Sequence, residues 1–304
     1  MQNHQDLCIY TTGSYGRLEA CEFSDIDLFF LYDNNKEKEF PKIDKILIDS
    51  GIIKICREMN FPEFSSDGEY LQIHNVNNFY DELGSRKDDH CNYFTARMLL
   101  LLEGRFIYNK NLYEKIIDTT INKYYKDFHG HEKDFKPVFL VNDVIRFWRT
   151  MCLNYEHSRN RKSDASTKVS DYELNLKKNK AHIKNLKLRF SRKLICYSFL
   201  LSVLYSAEIL DEKSIKSIIS LTPLDRLKKL TEMGKVKKED IDLLIEHYSW
   251  FLEKMQVENQ ALLEWVSIQK NRDEAFGKSR EFAKKIFKIM MNVDNSDNLL
   301  YFLI

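Results

Sequence analysis

Residues 13–17 read Gly13-Ser14-Tyr15-Gly16-Arg17, and residues 24–28 read Ser24-Asp25-Ile26-Asp27-Leu28. The apolar run at 7–12 predicts a short strand before the first stretch, and 25–32 predicts a second strand. A glycine-serine turn therefore joins the end of one strand to a segment that leads into the next. Ten residues separate the serine from a pair of carboxylates, and this arrangement decides the fold prediction for the amino-terminal region.

The two carboxylates suit a divalent metal. Side chains two positions apart in a strand project from the same face, so we expect Asp25 and Asp27 to lie close together. Carboxylates are the hard oxygen ligands that Mg²⁺ prefers, usually one or two of them together with substrate phosphates. Two solvated acids at a strand end are the simpler alternative. The glycine-serine turn at fixed spacing favours the metal site over that alternative.

The turn itself suits a phosphate. Gly13 lets the backbone approach a ligand because it has no Cβ. Ser14 adds a hydroxyl donor and is predicted to cap a short helix over 15–20, whose free N–H groups favour an anion. Arg17 is predicted to lie on that helix and to pair with a phosphate oxygen.

These residues carry a family resemblance. The pattern Gly13-Ser14-x10-Asp25-x-Asp27 resembles the signature of the polymerase-β-like nucleotidyltransferase superfamily. The fuller stretches at 12–19 and 23–28 are most similar to the PII-uridylyltransferase and DUF294-type bacterial branch. The resemblance implies transfer of NMP from an NTP to an acceptor hydroxyl, with release of pyrophosphate. It also implies that Gly13 and Ser14 bind the triphosphate and that Asp25 and Asp27 hold Mg²⁺ or Mn²⁺.

The superfamily usually supplies a third acidic residue from a later strand. The best later strand is predicted near 69–74, which makes Glu69 the candidate and Asp67 the alternative. Glu69 would complete the site and help to deprotonate the acceptor.

The acceptor stays open at this point. A protein hydroxyl is the first choice, because the branch resembled here modifies a protein. A tRNA or other RNA is second, because residues 159–193 hold twelve basic and three acidic residues. A solvated basic loop explains that segment equally well, and a small-molecule acceptor ranks third. A nucleotide-binding regulatory module without transferase activity is the alternative from a different class.

Composition narrows the class of protein. With 9 Gly and 4 Pro in 304 residues the chain is expected to be rich in helix. Its net charge of +1 argues against a bulk polyanion binder, and no apolar run is long enough to span a membrane. Six scattered Cys without a CxxC pair favour reduced thiols, so a cytoplasmic location is the default expectation. The sequence does not specify the oligomeric state.

The predicted fold class is α+β. A nucleotidyltransferase domain with a small mixed sheet is expected at 1–130, and an all-α helical bundle at 131–304. In the first part we predict helices over 42–60, broken or bent at Gly51, and over 88–102 and 110–125. In the second part we predict a loop at 158–180 and helices elsewhere. These helices are expected at 138–155, 186–206, 211–220, 223–233, 238–254, 256–270 and 274–291.

Overall fold

The computed structural model describes residues 4–33, 39–64, 71–133, 135–160, 170–206 and 210–292. Within them a four-stranded mixed sheet near the amino terminus is followed mainly by helices, which confirms the α+β prediction. The strands are β1 Leu7–Thr12, β2 Asp27–Tyr32, β3 Ile73–Asn75 and β4 Arg105–Tyr108. The helices of the first 130 residues are α1 Gly13–Gly16, α2 Lys42–Glu58, α3 Val76–Asp81, α4 Arg86–His90, α5 Tyr93–Glu103 and α6 Lys110–Tyr124. The later helices are α7 Val138–Asn160, α8 Asp171–Lys187, the π-helical turn Leu188–Arg192, α9 Lys193–Leu204, α10 Glu212–Ser220, α11 Pro223–Glu232, α12 Lys238–Met255, α13 Asn259–Ser267 and α14 Gln269–Met291.

The sheet has the order β3-β2-β1-β4. Strands β1 and β2 pair antiparallel, from Leu7 opposite Tyr32 to Thr12 opposite Asp27. Strand β3 adds parallel to β2, and β4 adds antiparallel to β1. The sheet buries Leu7, Leu28 and Phe30 in a cluster that includes Ile48 and Ile52 of α2. Strand β4 was not predicted, because three of its four residues are exposed and show no alternation.

Two predicted helices of the first part differ from those observed. Helix α2 continues through Gly51 without a break. The helix predicted at 88–102 divides into α4 and α5, because Asn92 adopts a left-handed conformation with φ 59°. Asparagine tolerates this conformation better than most residues, so the break is compatible with the sequence.

The chain divides into two compact units. The first contains residues 1–137 and 208–222, and the second contains 138–207 and 223–304. Helix α10 therefore belongs to the first unit, where Ile215 is fully buried. The hydroxyl of Tyr125 donates to the Leu210 carbonyl oxygen at 2.9 Å, and Lys216 Nζ lies 2.5 Å from Asp118 Oδ1. The domain division predicted after residue 130 stays a prediction, and the structure adds this returning helix to the first unit.

Every secondary-structure element described in the second unit is a helix. Its core centres on Phe190, which is fully buried in the π-helical turn and stacks on Phe251 with 4.8 Å between ring centroids. The loop predicted at 158–180 is wrong where it is described. Helix α8 begins at Asp171 behind a capping box between Ser170 and Glu173, and residues 161–169 lie outside the described part. None of the described helices is both long and apolar enough to cross a membrane.

Candidate active site

Gly13 lies against Asp27. The register that places Thr12 opposite Asp27 brings the residue after β1 to the first residue of β2. The Thr11 hydroxyl donates to the Asp27 carbonyl oxygen at 3.0 Å and fixes this end of the strand pair. Gly13 has φ +64°, and a Cβ there would lie 2.6 Å from Asp27 Oδ2. Only glycine combines this conformation with this approach, so the glycine-serine turn and the acidic segment meet as the spacing predicts.

Gly13→Ala is expected to lower activity and stability together. The new Cβ would force the Asp27 carboxylate to move, and a left-handed alanine costs about 1–2 kcal/mol. Gly51→Ala is the matched control, because a Cβ at Gly51 meets nothing within 4 Å. It should stabilise α2 by about 0.5–1 kcal/mol, since glycine is a poor helix residue. Chemical denaturation of both variants, together with an assay of the nucleotidyl transfer that the sequence resemblance implies, measures these effects. A Gly13→Ala protein as active as the Gly51→Ala protein would contradict the close approach.

Asp25 lies just before the strand rather than in it. Strand β2 starts at Asp27, and Asp25 is exposed in the preceding loop. A turn fixes this loop, because the Ser24 N–H donates to the Cys21 carbonyl oxygen and the Cys21 N–H donates to Ser24 Oγ, each at 3.0 Å. The strand that was predicted to align the two carboxylates therefore begins two residues later, and their common face stays a prediction.

The helix after β1 is shorter than predicted. Instead of spanning 15–20 behind a Ser14 cap, α1 spans Gly13–Gly16 and contains Ser14. It ends in a Schellman turn, in which the Glu19 N–H donates to the Ser14 carbonyl oxygen at 2.8 Å and the Leu18 N–H donates to that of Tyr15 at 3.2 Å. A helix of four residues is too short for its N-terminus to account for phosphate binding. The backbone conformation of Gly13 therefore contributes more to the proposed phosphate site than the helix does.

Leu18 occupies the left-handed position of this turn, with φ 60°. The residue is 65% exposed, so little packing is lost when its side chain is removed. Leu18→Gly is expected to raise the free energy of unfolding by up to about 1 kcal/mol. It removes about 1–2 kcal/mol of backbone strain, and this exceeds the added freedom of the unfolded chain. Leu18→Ala removes the same side chain but keeps the strain. Equal stability of the two variants in urea titrations would rule out the strain.

Arg17 supports the turn instead of extending from it. Its Nε lies 2.7 Å from Glu19 Oε2 and its Nη1 lies 2.5 Å from Glu103 Oε2, with the arginine side chain 8% exposed. Both carboxylates are nearly buried. These contacts hold two guanidinium nitrogens away from a phosphate, so the expected phosphate contact of Arg17 has no support here.

The sequence analysis did not identify two further residues that hold the turn in place, Gly16 and Glu103. A Cβ on Gly16 would collide with the carbonyl oxygen of Glu103, so the second glycine of the turn allows close contact with the end of α5. The repeated glycine was a usable signal for this approach. No local signal pointed to Glu103, because it is 86 residues away from Arg17.

The third carboxylate lies outside the described part of the chain, since residues 65–70 include both Glu69 and Asp67. In the ranges that the structure does describe, no group of three His, Cys, Asp or Glu residues is arranged to hold a metal. The metal-binding role of Asp25 and Asp27 therefore stays a prediction, and Mg²⁺ held by two carboxylates would take further ligands from substrate phosphates.

Comparison with known proteins adds one finding. Residues 2–82 match the family model for the nucleotidyltransferase domain, and this range contains the glycine-serine turn and both aspartates. The match supports the polymerase-β-like superfamily for the amino-terminal region, and with it a transferase of nucleotidyl groups from an NTP. No curated protein matches the chain significantly.

Proposed function

We propose that the protein is a metal-dependent nucleotidyltransferase that transfers NMP from an NTP to a hydroxyl of an acceptor protein. The observation that carries this proposal is Gly13 packed against Asp27 within the matching region. The resemblance of residues 12–19 and 23–28 to the PII-uridylyltransferase and DUF294-type branch favours a protein acceptor, and the scattered cysteines favour the cytoplasm.

The donor set fits a hard divalent cation. Asp25 and Asp27 would hold Mg²⁺ or Mn²⁺ through carboxylate oxygens, the ligands that these ions prefer. A bound cation would neutralise phosphate charge and orient the reacting oxygens. Gly13 and Ser14 would bind the β- and γ-phosphates, because Gly13 leaves its backbone open to close approach. Arg17, Glu19 and Glu103 would act as positioning residues for this cradle.

The reaction is an in-line displacement. The acceptor hydroxyl oxygen forms a bond to the α-phosphorus while the bond from that phosphorus to its bridging oxygen breaks. Pyrophosphate leaves with the electron pair, and the hydroxyl proton passes to a carboxylate, for which Glu69 is the first candidate and Asp67 the second. The chain contributes mainly by positioning and by charge.

One observation favours RNA as the second candidate acceptor. In the second unit a cavity of about 740 Å³ lies between α7 and α8. Arg159, Lys177, Lys180 and Lys184 are among the residues that line it, and such a surface suits phosphates. Labelling of RNA would then fall steeply with rising salt, whereas labelling of a protein need not.

The decisive experiment identifies which class of molecule accepts the labelled nucleotide. Purified protein is incubated with each α-labelled NTP, Mg²⁺ and cell lysate, and the products are digested with protease or ribonuclease. We expect pyrophosphate release and label that protease removes. Label removed by ribonuclease would identify RNA as the acceptor. Tight Mg²⁺-dependent nucleotide binding without pyrophosphate release would instead support the regulatory module without transferase activity.

A further inference from the structure

A cluster of basic and aromatic side chains lies in the second unit, where α7 packs against α9. Lys193 Nζ lies over the ring of Trp148, 5.4 Å from its centroid. The ring of Tyr197 packs against Trp148 almost at right angles, with 5.8 Å between centroids. Arg149 follows Trp148 in the chain and is exposed. These four residues form what we call the Lys193 cluster.

The helices that carry the cluster have an excess of positive charge. Helix α7, the π-helical turn and α9 together contain six Arg and Lys but only two acidic residues, Asp143 and Glu156. Both acids have partners outside the cluster. Asp143 Oδ1 lies 3.3 Å from Arg146 Nε, and Glu156 Oε2 lies 3.2 Å from Arg159 Nη2. Among the residues that the structure describes, no carboxylate pairs with either cation of the cluster.

Lys193 is held where its charge is unfavourable. The side chain is half-buried. Burial lowers the pKa of its ammonium group, and the charge of Arg189 lowers it further. Cys152 adds no compensating charge, because burial raises the pKa of its thiol and keeps it neutral. The face of Trp148 attracts the ammonium group, and a bound anion would stabilise it much more strongly.

The cluster presents hydrogen-bond donors without a negative charge. Burial raises the pKa of the Tyr197 hydroxyl, although the charge of Arg149 opposes the rise, so this hydroxyl stays protonated. Neither the Tyr197 hydroxyl nor the Trp148 indole N–H donates to an acceptor within the described ranges. Together with the ammonium group of Lys193 and the guanidinium group of Arg149, they make a donor set that suits an oxyanion.

The number of charges favours one kind of oxyanion. A terminal phosphate group carries about −1.5 to −2 at neutral pH, which matches the two cations of the cluster. Each phosphodiester of a nucleic acid carries a single charge. Proteins that bind single-stranded nucleic acid also stack bases on open aromatic rings. Here Lys193 covers a face of Trp148 and Tyr197 contacts the same ring, so the ring orients the ammonium group instead.

We propose that the Lys193 cluster binds the terminal phosphate group of a small ligand, either inorganic phosphate or a nucleoside monophosphate. Lys193 and Arg149 balance its charge, and Tyr197 and Trp148 donate to its oxygens. The inference is independent of the proposed transfer reaction, because the cluster lies in the second unit and its donors need no metal.

The test measures ligand binding to the full-length protein by isothermal titration calorimetry. EDTA is present, so that the proposed metal-dependent site does not contribute, and ionic strength is kept constant with chloride. The probes are inorganic phosphate, each nucleoside monophosphate, and an RNA oligonucleotide that ends in hydroxyls. The variants are Lys193→Met and Lys193→Arg. Lys278→Met is the matched control, because Lys278 Nζ lies over the ring of Trp250 at 5.3 Å in the same unit.

We expect wild type and Lys278→Met to bind inorganic phosphate or a monophosphate saturably. Lys193→Met should weaken this binding about tenfold or more, because a charge-assisted contact is lost. Lys193→Arg keeps the charge and should retain most of the affinity. Equal affinity for phosphate and all monophosphates would identify the phosphate group alone as the ligand, whereas tighter binding of one monophosphate would identify that nucleotide.

Arg149→Met provides a second test at an exposed position, where the fold does not depend on the side chain. It should weaken phosphate binding in the same direction, and tryptophan fluorescence reports the folding of every variant because all three tryptophans belong to this unit. No saturable binding of phosphate or monophosphate by wild type would overturn the inference. Wild-type affinity in both Lys193→Met and Arg149→Met would do the same. RNA binding that requires Lys193, without phosphate binding, would overturn it in favour of a nucleic acid.

Discussion

Asp27→Asn is expected to reduce NMP transfer by about a hundredfold to ten-thousandfold. The substitution keeps the size of the side chain but removes a charged oxygen ligand from the proposed metal pair. Metal-assisted charge stabilisation contributes several kcal/mol, and each 1.4 kcal/mol corresponds to about a factor of ten in rate. Asp25→Asn should have an effect of the same order. Pyrophosphate release at saturating NTP, titrated with Mg²⁺ and with Mn²⁺, measures both.

Glu22→Gln is the matched control for this prediction. Glu22 is an exposed carboxylate in the same loop, three positions before Asp25, and no role is assigned to it. The control should keep wild-type activity, and all three variants should unfold at the wild-type temperature. If purified Asp27→Asn transferred NMP as fast as Glu22→Gln, the metal assignment would be wrong.

Asp88→Ala is expected to destabilise the first unit by about 3–5 kcal/mol, because it leaves a buried arginine without its counter-charge. Asp88 Oδ1 and Oδ2 lie 2.9 and 2.6 Å from the two terminal nitrogens of Arg97, and both side chains are fully buried. Arg97 also donates to the Tyr124 hydroxyl at 3.0 Å and to the Phe79 carbonyl oxygen at 3.3 Å. The pair thus joins α3, α4, α5 and α6. Total stabilities are about 5–15 kcal/mol, so the loss is large.

The measurement has to report on the first unit alone. All three tryptophans, at 148, 250 and 265, belong to the second unit, so tryptophan fluorescence is a poor probe here. Hydrogen exchange of the amides of α5 is the suitable readout. Lys87→Ala is the control, because Lys87 lies beside Asp88 on α4. Its surface ion pair with Glu82 should contribute less than about 1 kcal/mol to the free energy of unfolding. Asp88→Ala combined with Arg97→Met should recover part of the loss. Unchanged exchange in the single Asp88→Ala variant would refute the prediction.

Part of the fold around the candidate site could be predicted because its determinants are local. Strand β1 is observed at the predicted residues, and its register with β2 places Thr12 opposite Asp27. The capping box of Ser170 and Glu173 is also a local signal. The polar composition of 158–180 nevertheless led to the prediction of a loop there. Such a cap is a readable start signal for α8.

The rest depended on contacts between distant parts of the chain. The sequence around Arg17 suggests a phosphate ligand, but its partner Glu103 lies at the end of α5 and is brought close only by the tertiary fold. Likewise β4 is too short and too exposed for its pattern to be recognised, and it forms because the edge of β1 is available to it. Pairings of this kind follow from topology and not from local preference.

Helix α10 has a practical consequence for dissecting the protein. Because the polypeptide leaves the first unit at residue 137 and re-enters it at 208–222, no single cut releases that unit whole. A fragment ending near residue 137 would lack the buried side chain of Ile215. It would also lack the Leu210 carbonyl oxygen, which accepts a hydrogen bond from the Tyr125 hydroxyl. A fragment designed to contain the first unit should therefore include residues 208–222, joined by a linker. Without them, loss of activity would not distinguish a folding defect from a catalytic one.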